Sequence, residues 1–278
     1  MNLKQLYLHD GGGLGDIIKH YIRGQQGWGY LKPLKEQYPD IEIKVILTCI
    51  NPQIEEFIKY NPYIDKIESY LWTHPARSGV RQCIEKHKGD YASLLKAKKL
   101  LETIQPAVPE IYLNADDQKV IDSIISQGKF IFIHPFSGEI WRMVLPIGQY
   151  PTLIDRLIDE TGYNVVVVGG SYKKNLVKNT VMKESFGYQR AGLFNLVGHT
   201  NARVATRLAQ MAQGFVGTWS CYIIPGWQRP SRTVIMLPKG RRISRLPDPA
   251  LDIRIEIDPK NPGYLDVINE IVEHFKNA

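Results

Sequence analysis

Cysteine is scarce in this chain of 278 residues, which contains Cys49, Cys83 and Cys221 and no others. Three scattered cysteines cannot build a disulfide framework, and their spacing matches no zinc-binding pattern. The sequence also lacks an apolar run long enough to span a membrane, and residues 1–10 lack the charged start and apolar core of a signal peptide. We therefore expect buried thiols in a reducing compartment and a cytoplasmic protein without a transmembrane segment.

Acidic residues are outnumbered, since 28 Asp and Glu stand against 35 Lys and Arg, for a net charge of +7. The sequence pI of about 9.1 favours anionic partners, although charge alone assigns neither fold nor chemistry. A solvated loop is the ordinary interpretation of a basic run, but phosphate, lipid head groups and nucleic acid would all be attracted to one. The densest basic group consists of Arg229, Arg232, Lys239, Arg241, Arg242 and Arg245.

Short apolar runs alternate with amphipathic segments along the chain, which is typical of parallel sheets covered by helices. In the first half we predict strands at residues 4–8, 41–47 and 64–68, and helices at 17–23, 31–38, 53–60 and 86–102. In the second half we predict strands at residues 130–133, 165–168, 193–197, 215–216, 233–237 and 253–257, and helices at 149–160, 173–184, 202–212 and 263–275.

This alternation predicts an α/β fold with two Rossmann-like domains facing each other across a cleft. We expect a first domain over residues 1–120, a second over 121–260 and a C-terminal helix over 261–278. In such folds ligands bind at the carboxyl ends of the strands. The residues that follow the strands are therefore the candidates for function.

A glycine-rich corner follows the first predicted strand, where Gly11 to Gly13, Gly15 and Asp16 precede a helical pattern. The spacing does not fit the dinucleotide fingerprint, because Asp16 stands where that motif needs a glycine, and the lysine of a phosphate-binding loop is also missing. An Asp at a helix start is most simply a cap. The alternative is a general base at the rim of a cleft.

Hydroxyls, glycines and cations follow the predicted strands of the second half, and these groups suit a diphosphate. The tryptophans among them could stack on a base or a sugar, although aromatic side chains more often pack in a core. His134 is a better candidate for positioning a ligand than for proton transfer. The candidate binding residues are Gly13, Gly15, His134, Ser137, Gly138, Trp141, Arg142, Gly170, Lys173, Lys174, Thr218, Trp219 and Ser220.

The order of four motifs resembles glycosyltransferase family 9, the bacterial ADP-heptose:lipopolysaccharide heptosyltransferases. The motifs are Gly13-Leu14-Gly15-Asp16, a strand running into His134-Pro135 with a later Leu145-Pro146, residues 165–170, and Leu196-Val197-Gly198 before a helix that leads to Gly217. Each motif is common by itself, so their order carries the resemblance. It implies the two-domain GT-B fold, with the acceptor bound by the first domain and the donor by the second.

The resemblance also implies inverting transfer of a sugar from a nucleotide diphosphate sugar, with no metal and no further cofactor. Asp16 matches the acid that deprotonates the acceptor hydroxyl in the family. The implied acceptor is a saccharide or a glycolipid. Trp219-Ser220-Cys221 stands where the family usually carries Asp-Ser-Gly, so the donor pocket is expected to differ in shape.

Two alternatives stay open at this point. A phage-type glycosyltransferase acting on modified DNA bases also has GT-B architecture and would use the basic surface for nucleic acid. A sugar-nucleotide-binding protein that has lost turnover would keep the donor site alone. The expected partners therefore depend on the interpretation, and they include nucleic acid, a peripheral membrane contact, a saccharide and a glycolipid.

Overall fold

The computed structural model describes residues 5–12, 18, 20–21, 24–49, 53–71, 103–107, 109–137, 143–169, 186–218, 233–240, 253–258, 260 and 262–276. The chain divides into two compact units, one of Met1–Asn114 with Asn201–Arg203 and one of Ala115–Thr200 with Val204–Ala278. Within the described ranges, no helix combines the length and the apolar character needed to cross a membrane.

The described part of the first unit contains a three-stranded parallel sheet in the order β1-β2-β3. Its strands are β1 (Gln5–Gly12), β2 (Glu42–Cys49) and β3 (Lys66–Leu71). The elements between them are a 3-10 helix (Gln25–Tyr30), α1 (Leu31–Gln37) and α2 (Gln53–Ile58). Ile43, Val45 and Leu47 of β2 are fully buried, as expected for the central strand.

Gly24 turns the chain before the 3-10 helix, with a φ of 63° that favours glycine. The 3-10 helix then approaches a later segment closely. The Ala107 amide donates to the Gly29 carbonyl at 2.8 Å, and a Cβ on Gly29 would lie 2.9 Å from the Ala107 oxygen. These two glycines therefore interrupt the helical pattern at this point.

The described part of the second unit contains a six-stranded parallel sheet in the order β6-β5-β4-β7-β8-β9. Its strands are β4 (Phe130–His134), β5 (Asn164–Val167), β6 (Leu193–Asn195), β7 (Gly214–Thr218), β8 (Thr233–Pro238) and β9 (Ile253–Ile257). Its helices are α3 (Ala115–Ile125), α4 (Tyr150–Thr161), α5 (Ala202–Met211) and α6 (Tyr264–Lys276), with a 3-10 turn at Ile147–Gln149. Counted from β4, the strand order is 3-2-1-4-5-6, that of the doubly wound nucleotide-binding fold.

Both faces of the second sheet are covered, which explains why its central strands are continuous apolar runs. Ile131 and Ile133 belong to a cluster that includes the buried side chains of α4 and α6. On the opposite face, the rings of Phe132 and Phe215 stack with centroids 5.6 Å apart. The core therefore sits on both sides of β4 and β7.

Helix α4 shows how the pattern produces the element. Tyr150, Leu153, Ile154 and Leu157 recur at helical spacing and are all buried. Gly162 ends the helix with a φ of 70°, and its amide donates to the Ile158 carbonyl at 3.0 Å.

The mixed α/β fold with parallel sheets is confirmed, and every predicted strand occurs. The bounds differ, most of all for β1, which continues to Gly12 rather than ending at Leu8. Helix α3 was not predicted, because only Val120, Ile121, Ile124 and Ile125 give its polar sequence an apolar stripe. The helices predicted at residues 86–102 and 173–184 lie outside the described residues.

Candidate functional site

The strand order of the second sheet defines where a ligand would bind. From β4 the chain runs outward through β5 and β6, and it then returns to the other side of β4 to form β7, β8 and β9. The crossover connections therefore diverge beyond the carboxyl ends of β4 and β7 and leave a crevice there. His134 ends β4 and pairs in register with Gly217, and Thr218 ends β7.

Four residues meet at these strand ends, and we call them the strand-end cluster: His134, Phe136, Ser137 and Thr218. All four are buried. The Thr218 hydroxyl donates to the Phe136 carbonyl at 3.3 Å, which ties the turn after β4 to the end of β7. The structure thus brings together His134, Ser137 and Thr218, three of the residues singled out in the sequence.

His134 is neutral at physiological pH. Its burial lowers the pKa of the imidazole to about 3, because desolvation penalises the charged form. The ring makes an edge-to-face contact with Phe136 at a centroid distance of 6.5 Å. A neutral imidazole offers one donor and one acceptor, so it can orient a polar group but cannot neutralise a diphosphate.

Phe136 was missed in the sequence, although an aromatic residue between Pro135 and Ser137 is unusual in a polar loop. Its ring lies against the main chain of Gly169, just beyond β5. A Cβ on Gly169 would lie 2.1 Å from Cδ2 of that ring, so glycine is the residue that allows the contact. The same glycine accepts a hydrogen bond on its carbonyl from the Gly198 amide at 2.7 Å.

No protein-family model matches this chain, and no curated protein matches it either. Several solved structures are similar to it. A family 9 glycosyl transferase from Veillonella parvula is similar over 100% of this chain and 99% of its own, with a TM-score of 0.60 and 12% identity. The chain has the fold of the family 9 glycosyltransferases.

Two E. coli enzymes show the same fold. ADP-heptose LPS heptosyltransferase II is 15% identical, with a TM-score of 0.50 and 98% coverage of both chains. A heptosyltransferase solved with ADP-2-deoxy-2-fluoro heptose is 9% identical, with a TM-score of 0.52 and coverage of 99% of this chain and 100% of its own. At these identities the likeness concerns the fold and assigns no residue a role.

In this family 9 fold the remaining candidates fall outside the described residues, and their roles stay predictions. Gly13, Gly15 and Asp16 come shortly after the last residue of β1, and Trp219 and Ser220 come directly after β7. The others lie beyond the turn after β4 or beyond Gly169; they are Gly138, Trp141, Arg142, Gly170, Lys173 and Lys174.

The described part of the family 9 fold shows no group of three or more His, Cys, Asp or Glu side chains that could hold a metal ion. A small cavity in the first unit lies beside Trp28, Asn61, Tyr63 and Tyr112. Its volume of about 10 Å³ accommodates one water molecule at most. This cavity is too small to enclose a sugar or a nucleotide.

Proposed function

We propose that this protein is an inverting, metal-independent glycosyltransferase that moves a sugar from a nucleotide diphosphate sugar to an acceptor hydroxyl. One observation carries the proposal. His134, Ser137 and Thr218 are candidate substrate-binding residues in the sequence, and they lie at or just after the carboxyl ends of β4 and β7, neighbouring strands of a sheet with the nucleotide-binding strand order. The likeness to solved glycosyltransferases supports the same fold-level interpretation.

The donor binds to the second unit in this proposal. The turn after β4 and the residue that follows it contribute Ser137 and Gly138, and the end of β7 and the two residues after it contribute Thr218, Trp219 and Ser220. Backbone amides and cations stabilise the negative charge that develops on the leaving diphosphate. The proposed cations are Arg142, Lys173 and Lys174, and the candidate binding residues Trp141 and Gly170 are close to them in the sequence.

The acceptor binds to the first unit, where Gly13 and Gly15 leave space for it and Asp16 is the general base. The Asp16 carboxylate takes the proton of the acceptor hydroxyl as that oxygen forms a bond to the anomeric carbon. The bond from the anomeric carbon to the diphosphate oxygen breaks, and the nucleoside diphosphate leaves with that electron pair. A single displacement of this kind inverts the anomeric configuration. The predicted cleft between two domains would bring the two substrates together.

The acceptor class that we propose is a saccharide or a glycolipid, handled in the cytoplasm. The basic residues of the second half would attract an anionic glycolipid or its membrane surface. The donor is a nucleoside diphosphate sugar whose base and sugar are set by the pocket around Trp219. Heptose is therefore one donor to be tested among several.

Ligand binding and transfer test the proposal in sequence. Thermal shifts are measured with the common nucleosides, their diphosphates and the corresponding diphosphate sugars. A ligand present at a hundred times its dissociation constant adds about 2.7 kcal/mol of stability. The best donor is then incubated with saccharide and glycolipid acceptors, with and without EDTA, and the anomeric configuration of the product is read by NMR.

We expect stabilisation by one family of nucleoside diphosphates, release of that diphosphate on transfer, an inverted product and no effect of EDTA. Absence of stabilisation by every diphosphate overturns the proposal. Donor binding without transfer to any acceptor indicates a binding protein that has lost turnover. Salt-sensitive DNA binding together with transfer to modified bases indicates the DNA-directed alternative.

A further inference from the structure

We propose that Phe136 and Thr218 are positioning residues, which hold the turn after β4 in the conformation that binds the diphosphate of the donor. The inference rests on the proposed function, because it concerns how the donor site of that function is built. It assigns a role to Phe136, and it makes the role of Thr218 indirect. Both residues act through the main chain of residues 135–137.

Phe136 faces the protein rather than the crevice. Its side chain is buried, and its ring covers the main chain of Gly169 so closely that a Cβ there would overlap Cδ2 and Cε2, at 2.1 and 2.6 Å. A ring held in this way cannot stack on a base or a sugar. It instead anchors the turn after β4 to the end of β5.

The surface under the ring is itself held in place. The Gly169 carbonyl accepts from the Gly198 amide at 2.7 Å, and the Val167 carbonyl accepts from the Leu196 amide at 2.9 Å. These bonds continue the contact between β5 and β6 past the last paired residues of the strands. Gly169, against which the Phe136 ring packs, is therefore hydrogen-bonded to the segment that follows β6.

Thr218 holds the same turn from the opposite side. It is fully buried, and its hydroxyl proton is used in the 3.3 Å hydrogen bond to the Phe136 carbonyl. Because the peptide group is planar, fixing this carbonyl also fixes the orientation of the amide that leads into Ser137. The turn is thus held between β5 and β7 by one apolar contact and one hydrogen bond.

A turn that binds a diphosphate gains affinity when its donors are already in place, because no ordering cost is then paid on binding. Loosening the turn should therefore weaken the binding of a nucleoside diphosphate more than the binding of the nucleoside, which lacks the phosphates. A general loss of protein stability would weaken the binding of both ligands alike. This difference separates positioning from a structural role.

The test compares dissociation constants for the nucleoside and its diphosphate, measured by calorimetry on fully folded protein. Thr218→Val removes the hydroxyl and keeps the shape, and we expect roughly fivefold weaker diphosphate binding with the nucleoside unchanged. Phe136→Leu and Gly169→Ala should show the same selectivity, and Thr218→Ser should restore most of the lost affinity. Since all three variants disturb one turn, the double variant Thr218→Val/Gly169→Ala should lose less than the product of the single losses.

Two of these substitutions, Thr218→Val and Gly169→Ala, have matched controls. Thr161→Val removes a hydroxyl that donates to the Leu157 carbonyl at 2.5 Å at the end of α4, away from the turn. Gly187→Ala adds a Cβ that would meet no atom within 4 Å. Neither control should change the ratio of the two dissociation constants.

Three results decide the matter. A selective loss in the variants, with rescue by Thr218→Ser, supports the inference. Unchanged ratios, or equal losses for both ligands, overturn it while wild-type diphosphate binding leaves the proposed function standing. A wild-type protein that binds no nucleoside diphosphate overturns the proposed function and the inference together.

Discussion

Phe275 occupies the space beside Gly214 in which any other side chain would have to lie. A Cβ on Gly214 would be 2.0 Å from Cε1 of the Phe275 ring. Gly214 begins β7, the strand whose other end carries Thr218, and Phe275 is the last buried residue of α6. The C-terminal helix therefore packs directly on the strand that supports the candidate site.

Replacing this glycine should destabilise the second unit. We expect Gly214→Ala to lower the free energy of unfolding by about 1–3 kcal/mol, because the fully buried ring cannot move aside without losing its packing. Denaturant unfolding followed by circular dichroism measures the change. Gly148→Ala is the control, since a Cβ there would meet nothing within 4 Å.

A double-mutant cycle shows whether the clash is the cause. Phe275→Leu shortens the side chain, so Gly214→Ala should cost less in that background than in the wild-type protein. Equal costs in the two backgrounds would mean that Gly214 is required for another reason, such as the pairing of β7 with β4.

The buried His134 should make stability fall in acid. Its pKa is lowered to about 3 in the folded protein and is about 6.5 in an unfolded chain, so the unfolded state binds the extra proton between these values. Stability is therefore unaffected by this group above about pH 6.5, and it falls by up to about 1.4 kcal/mol per pH unit between about pH 6.5 and pH 3.

His134→Gln removes this titration. We expect the wild-type protein to lose more stability than the variant between pH 7.5 and pH 4.5, as measured by denaturant unfolding at several pH values. A difference between the two proteins that stays constant over this range would show that His134 takes up a proton in the folded state.

Asp16→Asn tests the proposed general base. The amide cannot accept the hydroxyl proton, so transfer should fall by about 10²- to 10⁴-fold while the dissociation constant of the donor stays close to its wild-type value. Turnover and donor binding are measured on the same preparations. Asp40→Asn, at an exposed turn of the first unit, is the control. Near wild-type turnover in Asp16→Asn would remove Asp16 from this role.

Arg142→Ala and Lys173→Ala test the proposed diphosphate contacts. Each substitution should weaken the binding of a nucleoside diphosphate roughly tenfold to a hundredfold. The binding of the nucleoside should stay nearly unchanged, because the charge-assisted hydrogen bond that is removed is made to a phosphate, which the nucleoside lacks. Competition against a fluorescent nucleotide gives both constants. Equal losses for nucleoside and diphosphate would assign these side chains to another part of the site.

Local pattern predicted the elements well where one face of a segment decides its structure. The buried stripe of α4 and the apolar runs of β4 and β8 could be seen directly in the sequence. The pattern failed where pairing with another strand decides how far a strand extends. Strand β1 extends through Gly11 and Gly12 because these residues pair with Thr48 and Cys49 of β2, which a glycine run does not predict.

The amino-acid sequence by itself determined which segments become strands and helices, and hence that His134, Ser137 and Thr218 would follow strands. The periodicity of apolar residues is a local property, so it can be seen without the fold. Tertiary structure decided that β4 and β7 are neighbours, that His134 is neutral, and that Phe136 turns inward onto Gly169. These outcomes depend on contacts between residues far apart in the chain, and only the packed sheet brings such residues together.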